Sequence, residues 1–217
     1  GREHPMDFAD HEWLEVAAAW VMRAATVTLP GMPKHLTPGV PLGPGQPPHY
    51  QGFYMRDAYY GIAHAWDLLN ATHWGENVAA MEHLLARPRE DGALPQSCRP
   101  DGRGGEVCRY GSAGSTACDD TPPAPGWRGC KTLDTGPFAA LLAAHAHKRL
   151  FGGDRAAADA WWRRWQGTLR RALEETTRNP DGCGLVWSNT SQPTVGYGFQ
   201  DMQWKSGDVL YTSVLFW

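Results

Sequence analysis

An arginine and an aspartate stand side by side among aromatic residues in the stretch Gly52-Phe53-Tyr54-Met55-Arg56-Asp57-Ala58-Tyr59-Tyr60-Gly61. They precede an apolar segment, residues 58–69, that predicts a buried helix. Arg56 and Asp57 at the mouth of such a helix can form fork-like hydrogen bonds with hydroxyl groups, and aromatic rings such as Tyr54 can stack on C–H faces. The pattern therefore predicts a sugar site. A second interpretation stays open, in which the helix dipole favours a first-turn Asp57 and Arg56 is its surface partner.

Two further aspartates occupy corresponding places ahead of apolar segments. Asp134 precedes the segment 136–150, and Asp201 precedes the segment 209–217. If the three apolar helices run parallel, their starts bring both carboxylates to the same end of the fold as Asp57. Capping is the preferred interpretation for Asp134, because Asp, Thr and Pro in Leu133-Asp134-Thr135-Gly136-Pro137 are typical of a helix start.

The surroundings of Asp201 favour a chemical role. Aromatic residues and a lysine lie close by in sequence, namely Tyr197, Phe199, Trp204 and Lys205. Desolvation among aromatic side chains raises the pKa of a carboxyl group, and a general acid working at neutral pH needs such a shift. Gly196 and Gly198 would allow another group to approach the backbone closely.

The elements that must position these residues are helices of two alternating kinds. Amphipathic patterns over 11–28, 75–85 and from 154 to 176 predict outer helices, and apolar segments over 58–69, 136–150 and 209–217 predict inner ones. The pattern predicts an all-α fold, the arc of an α/α toroid built from three outer–inner helical hairpins, at about 10–70, 75–150 and 154–217. We expect a single domain over 1–217 with a long cysteine-containing loop over 91–133, and Asp91-Gly92 and Asp181-Gly182 as turns that end outer helices.

The order of these motifs resembles the six-hairpin glycosidases, the group that includes glucoamylase, trehalase and the processing α-glucosidases. The matching pieces are Phe53 to Tyr60, Asp91 to Pro95, Asp134 to Phe138, and Asp181 to Trp187 running into Gly196 to Asp208. The resemblance implies a partial (α/α)6 toroid in which the Arg-Asp pair grips the sugar beside the scissile bond and Asp201 is the catalytic general acid. The predicted substrate-binding residues are Tyr54, Arg56, Asp57, Asp134, Trp187, Trp204 and Lys205.

The expected activity is hydrolysis of α-glucosides with inversion, through acid–base catalysis. In the family the general base comes from the second half of the barrel, so these 217 residues are expected to be the N-terminal half, inactive in isolation, with a second half-barrel or self-association as a possible partner. Two alternatives stay open. One is a sugar phosphorylase on the same fold, and the other is a non-catalytic carbohydrate-binding remnant of such an enzyme.

The composition narrows the classes of partner. A net charge of −3 gives no basic surface for nucleic acid, and no apolar run approaches the length of a membrane span. The predicted partner is therefore an oligosaccharide or glycoside, with no nucleic acid and no membrane. The nine histidines show no metal-ligand spacing, so we expect no metal and no cofactor.

The cysteines favour an oxidising compartment. Four of the five fall in the loop over 91–133, at Cys98, Cys108, Cys118 and Cys130, and their spacing is unlike that of a zinc site. Two disulfides within this loop are the preferred interpretation. Together with the sequons Asn70-Ala71-Thr72 and Asn189-Thr190-Ser191, they predict an extracellular or secretory protein.

Overall fold

The computed structural model describes residues 8–37, 52–64, 71–110, 135–150, 154–174, 183–188, 207–208 and 214. The helices are α1 (Phe8–Ala25), α2 (Met55–His64), α3 (Ala71–Leu85), α4 (Thr135–Leu150) and α5 (Arg155–Glu174). The strands are β1 (Thr26–Val27), β2 (His35–Leu36), β3 (Phe53–Tyr54), β4 (Ser97–Pro100), β5 (Glu106–Arg109), β6 (Trp187–Ser188) and β7 (Gly207–Asp208). None of the helices in this described part is long and apolar enough to cross a bilayer.

Helix α5 forms where the amphipathic pattern predicted it. Asp154 is its N-cap, since the Asp154 Oδ1 accepts a hydrogen bond from the backbone N–H of Ala157 at 2.9 Å. The buried residues are spaced three or four apart along one face, namely Ala158, Trp161, Trp165, Leu169 and Ala172. Arginines occupy the exposed face, as the sequence pattern predicted.

The prediction of an all-α toroid is wrong, because the described residues also form antiparallel sheets. Strand β3 pairs with β4, and β4 pairs with β5, in a three-stranded sheet; β1 with β2 and β6 with β7 form two-stranded ones. Strands β4 and β5 lie inside the segment 91–133 that was predicted to be a loop. The turn between β4 and β5 was overlooked in the sequence. Asp101 stabilises this turn, because its Oδ1 accepts hydrogen bonds from the backbone N–H groups of Arg103 and Gly105.

Helix α4 lies at the centre of the core and packs against α2, α3 and α5. The apolar run from Phe138 to Ala143 explains this position, because apolar residues on most sides of a helix are stable only when neighbouring elements cover them. The largest side chains of the core that are fully buried include Phe53, Met55, Met81, Leu84, Leu85, Phe138 and Leu142. They come from the sheet and from three helices, so the sheet and the helices share one core.

Helices α4 and α5 form an antiparallel hairpin. Only a few residues separate the end of α4 from the start of α5. At the other end of the pair, a Cβ built on Gly136 would lie 2.5 Å from the carbonyl oxygen of Ala172. The first turn of α4 therefore touches the last turn of α5, backbone against backbone, and a glycine permits that approach.

Two predicted burial patterns are not observed. The stripe of α1 was expected to face inward, yet Trp13, Val16 and Trp20 are 68%, 69% and 61% exposed. The C-terminal end of α1 packs against other elements, since Ala25 is buried and α1 contacts β1. In the segment 209–217, which was predicted to be an inner helix, the described residue Val214 is helical but exposed.

Candidate functional site

The start of α2 is fixed by the three-stranded sheet. Phe53 pairs with Cys98 and Tyr54 pairs with Ser97, so β3 delivers the chain directly into the first turn of α2. The backbone N–H of Met55 then donates a hydrogen bond to the carbonyl oxygen of Gln96 at 3.1 Å. This bond satisfies one of the N–H groups that a helix start leaves without an intrahelical acceptor. The sheet therefore determines where Arg56 and Asp57 stand.

Arg56 is buried at this position, with only 7% of its surface exposed. The interpretation of Arg56 as a surface partner of Asp57 is therefore wrong. A guanidinium group removed from water needs compensating acceptors, because an uncompensated buried charge costs several kcal/mol, on the order of 3–5. Asp57 is half-buried in the first turn of α2, where the positive end of the helix dipole favours a carboxylate.

Two tyrosines lie close to the pair in the chain. Tyr54 and Tyr59 are both half-buried. The covered part of Tyr59 contacts α4, with ring centroids 5.5 Å from Phe138 and 5.8 Å from His145. A buried cation, a half-buried carboxylate and partly exposed tyrosines thus share the start of one helix.

The starts of α2 and α4 are both linked to the C-terminal turn of α5, α4 by direct contact and α2 through the segment from Gly92 to Gln96. A Cβ on Gly92 would meet the carbonyl oxygen of Arg171 at 3.2 Å, and Gly136 contacts the adjacent Ala172 of α5. From Gly92 the chain runs only four residues to Gln96, at most about 14 Å, before it binds the first turn of α2. Both helix starts are therefore tied to the C-terminal turn of α5.

The loop with Asp91 and Gly92 has the structural role that its sequence predicted. Gly92 adopts a φ of 90°, which favours glycine, and the Asp91 Oδ1 accepts hydrogen bonds from the Ala93 N–H at 3.1 Å and the Arg89 Nε at 3.0 Å. These bonds use the carboxylate of Asp91 to hold the turn. They do not direct it toward a ligand.

The other predicted site residues fall mostly outside the described residues. Asp134, Asp201, Trp204 and Lys205 belong to this group, as do Cys118 and Cys130. Thr135, directly after Asp134, is buried at the start of α4. For Trp187 the structure gives the backbone, which pairs with Asp208 in the β6–β7 ladder. Ser188 pairs with Gly207 in the same ladder.

Sequence analysis overlooked Gln96 and Ser97 as parts of this site. Both are buried, and together they connect β4 to the first turn of α2 and to Tyr54. The sequence contained a local feature at this point: the two polar residues stand between Leu94-Pro95 and a cysteine. Their burial is consistent with these backbone bonds, since the polar groups of a buried strand must find partners within the protein.

One of the predicted disulfides is present. Cys98 and Cys108 face each other across β4 and β5 and are joined by a disulfide bond. Glu106 is close to both sulfur atoms, and these three are the one group in the described part of the chain whose geometry could hold a metal. A thiolate is the form of cysteine that binds a metal, and the disulfide removes both thiolates. The disulfide between Cys98 and Cys108 therefore cross-links β4 and β5.

Searches of protein-family models, of curated proteins and of solved structures found no match to this chain. The arguments for a function consequently rest on the motifs of the sequence and on the geometry at the start of α2.

Proposed function

We propose that the start of α2 binds a sugar ring of a glycoside, and that the chain is part of a glycoside hydrolase acting on α-glucosides. The single observation that carries this proposal is the burial of Arg56 beside the half-buried Asp57 at a helix start, with the half-buried Tyr54 and Tyr59 two residues away on either side in the chain. Sugar sites combine charged hydrogen-bonding groups with aromatic faces in this way. The motifs that resemble six-hairpin glycosidases support the same assignment.

Each group has a distinct part in binding. The guanidinium of Arg56 donates hydrogen bonds to sugar hydroxyl oxygens, while the carboxylate of Asp57 accepts them from hydroxyl groups. Because Arg56 is held by the protein, little side-chain entropy is lost when the sugar binds. The ring of Tyr54 covers a C–H face of the sugar, and the sheet behind α2 keeps these groups at fixed positions.

In this proposal Asp201 is the general acid and gives its proton to the glycosidic oxygen as the bond breaks. A second carboxylate activates the attacking water, and in an inverting enzyme the two carboxyl groups stand about 6.5–9.5 Å apart. In the sequence, Asp201 lies between the strands β6 and β7. Trp187, Trp204, Lys205 and Asp134 complete the proposed set of substrate-binding residues.

Titration with an α-linked glucose disaccharide tests the binding step. Isothermal calorimetry should show saturable binding to the chain, and Asp57→Asn should weaken it by roughly tenfold or more, because hydrogen bonds to charged groups contribute about 1.5–3 kcal/mol. Asp154→Asn is the matched control. It makes the same chemical change at the start of α5, where Asn caps as well as Asp, and it should leave the affinity unchanged.

Two results would contradict the proposal. One is the absence of binding to any α- or β-linked glucoside at millimolar concentration. The other is equal weakening of binding by the Asp57 and Asp154 variants, which would indicate a general effect of charge. Binding that depends on Asp57, without hydrolysis when a second half-barrel of the proposed type is supplied, would favour the non-catalytic carbohydrate-binding alternative.

A further inference from the structure

Helix α1 carries an apolar face that the described residues leave exposed. We call the residues Trp13, Val16, Ala17 and Trp20 the α1 stripe. Its three large members are each more than 60% exposed. The helix is 18 residues long, about 27 Å, and among the described elements it contacts chiefly β1 at its C-terminal end. An apolar face of this length in water marks an interaction surface.

The α1 stripe is self-complementary when two copies of the helix run antiparallel. Trp13 and Trp20 are seven residues apart, about 10 Å along the axis and on the same side of the helix. A twofold axis between Val16 and Ala17 places Trp13 of one copy opposite Trp20 of the second copy, twice. Between these two aromatic pairs, Val16 of one copy lies opposite Ala17 of the other, and both are smaller than tryptophan. Such repetition of one patch on both subunits is the form of an isologous interface.

The charges beside the stripe select the antiparallel direction. Glu12 and Arg23 are eleven residues apart, which puts them on the same flank of the helix and about 16 Å apart along its axis. Both are exposed. In the antiparallel pair Glu12 lies within about 3 Å, along the axis, of the level of Arg23 from the second copy. In a parallel pair Glu12 and Arg23 of the second copy would instead be about 16 Å apart along the axis, too far for an ion pair.

We propose that the α1 stripe is the interface of a homodimer, in which two copies of α1 pack antiparallel around a twofold axis between Val16 and Ala17. The occupant of the face is thus a second copy of this chain. An anionic membrane surface is a poorer match, because α1 carries three acidic residues, Asp10, Glu12 and Glu15, and a single basic one, Arg23, so such a surface would repel the helix. This inference is independent of the proposed sugar site, since it uses a different helix.

Sedimentation equilibrium of the full chain tests the proposal. We expect a monomer–dimer equilibrium with a dissociation constant below roughly 100 µM. Trp13→Ala combined with Trp20→Ala should raise that constant by at least tenfold, since both aromatic pairs are lost. Trp162→Ala removes an exposed tryptophan of α5 and should leave it unchanged. Circular dichroism confirms that the variants are folded, as substitutions at exposed positions should allow.

Exchanging the charges of Glu12 and Arg23 tests whether the two copies of α1 run antiparallel. Glu12→Arg alone and Arg23→Glu alone should each raise the dissociation constant by roughly two- to tenfold at low salt, and the double variant should restore it, because exposed ion pairs contribute about 0.2–1 kcal/mol each. A chain that stays monomeric, or a dimer that is insensitive to the two tryptophans, would overturn the proposal. A tryptophan-dependent dimer that the double exchange fails to restore would overturn the antiparallel arrangement.

Discussion

A single carboxylate joins two helices through two indole groups. The Glu82 Oε1 on α3 accepts hydrogen bonds from Trp161 Nε1 at 2.6 Å and Trp165 Nε1 at 3.0 Å on α5. Both tryptophans are buried, so their N–H groups need an acceptor inside the protein. Glu82 thus explains how α5 can bury two tryptophans without leaving a donor unsatisfied.

Replacing Glu82 should reveal this role. Glu82→Leu leaves two buried donors without their acceptor and should lower the free energy of unfolding by about 2–4 kcal/mol, whereas Glu82→Gln keeps an acceptor oxygen and should cost about 1 kcal/mol. Urea denaturation followed by tryptophan fluorescence measures both. A Glu82→Leu variant as stable as the natural chain would show that these hydrogen bonds contribute no net stability.

At the scale of elements, close contact between helix ends determines where the candidate site lies. The contacts of Gly92 and Gly136 with consecutive residues of α5 bring the loop before β4 and the start of α4 together. The hydrogen bond from Met55 to Gln96 then adds the start of α2. These are backbone contacts, and side chains on the glycines would push the elements apart.

Gly136→Ala should lower the free energy of unfolding by about 1–3 kcal/mol, because the added Cβ would clash with the Ala172 carbonyl. Gly167→Ala on α5 is the matched control. Its Cβ would meet nothing within 4 Å, so alanine should raise the stability by about 0.5–1 kcal/mol through its better helix propensity. Thermal denaturation compares the two. Equal effects of both substitutions would contradict the tight α4–α5 contact.

The disulfide makes a separate contribution to the sheet behind α2. Replacing Cys98 and Cys108 by alanine together should lower the free energy of unfolding by about 2–4 kcal/mol, since the closed loop contains about ten residues. Chemical denaturation under oxidising conditions measures the loss. Under reducing conditions the natural chain should lose a similar amount. If the natural chain is equally stable in both conditions, the disulfide does not stabilise the sheet.

Helical periodicity predicted the amphipathic helix that buries its apolar face, α5. For α5 the buried positions from Trp161 to Ala172 follow from spacing, and the cap at Asp154 follows from residue type. The strands escaped prediction because β1, β2 and β3 have two residues each and show no alternation. The exposure of the α1 stripe was not predicted either, since periodicity identifies an apolar face but not what covers that face.

The candidate site was predictable in part, for a similar reason. The adjacency of Arg56 and Asp57 and their position at a helix start are local properties that the sequence contains. The burial of Arg56 and the support from Gln96 depend on a strand pairing between residues more than forty positions apart. Such pairing follows from tertiary structure and cannot be derived from local pattern.

At the scale of the whole molecule, the described fold separates two surfaces. The starts of α2 and α4 gather at the C-terminal turn of α5, whereas the α1 stripe lies on a helix that meets the remaining described elements chiefly through β1. Disruption of the α1 stripe is therefore expected to leave sugar affinity unchanged. Calorimetric titration of the Trp13→Ala, Trp20→Ala variant measures this. A tenfold loss of affinity in that variant would show that the two surfaces are coupled.

The central claim is that Arg56 and Asp57 hold a sugar whose glycosidic bond Asp201 cleaves. Its most direct test is a crystal structure of the chain bound to a non-hydrolysable α-glucoside. We predict a sugar ring with hydroxyl groups in hydrogen-bond contact with the Arg56 guanidinium and the Asp57 carboxylate, and the Asp201 carboxyl within hydrogen-bond reach of the glycosidic heteroatom, directly or through one water. A ring bound elsewhere, or an Asp201 carboxyl at the opposite end of the fold from Asp57, would contradict the claim.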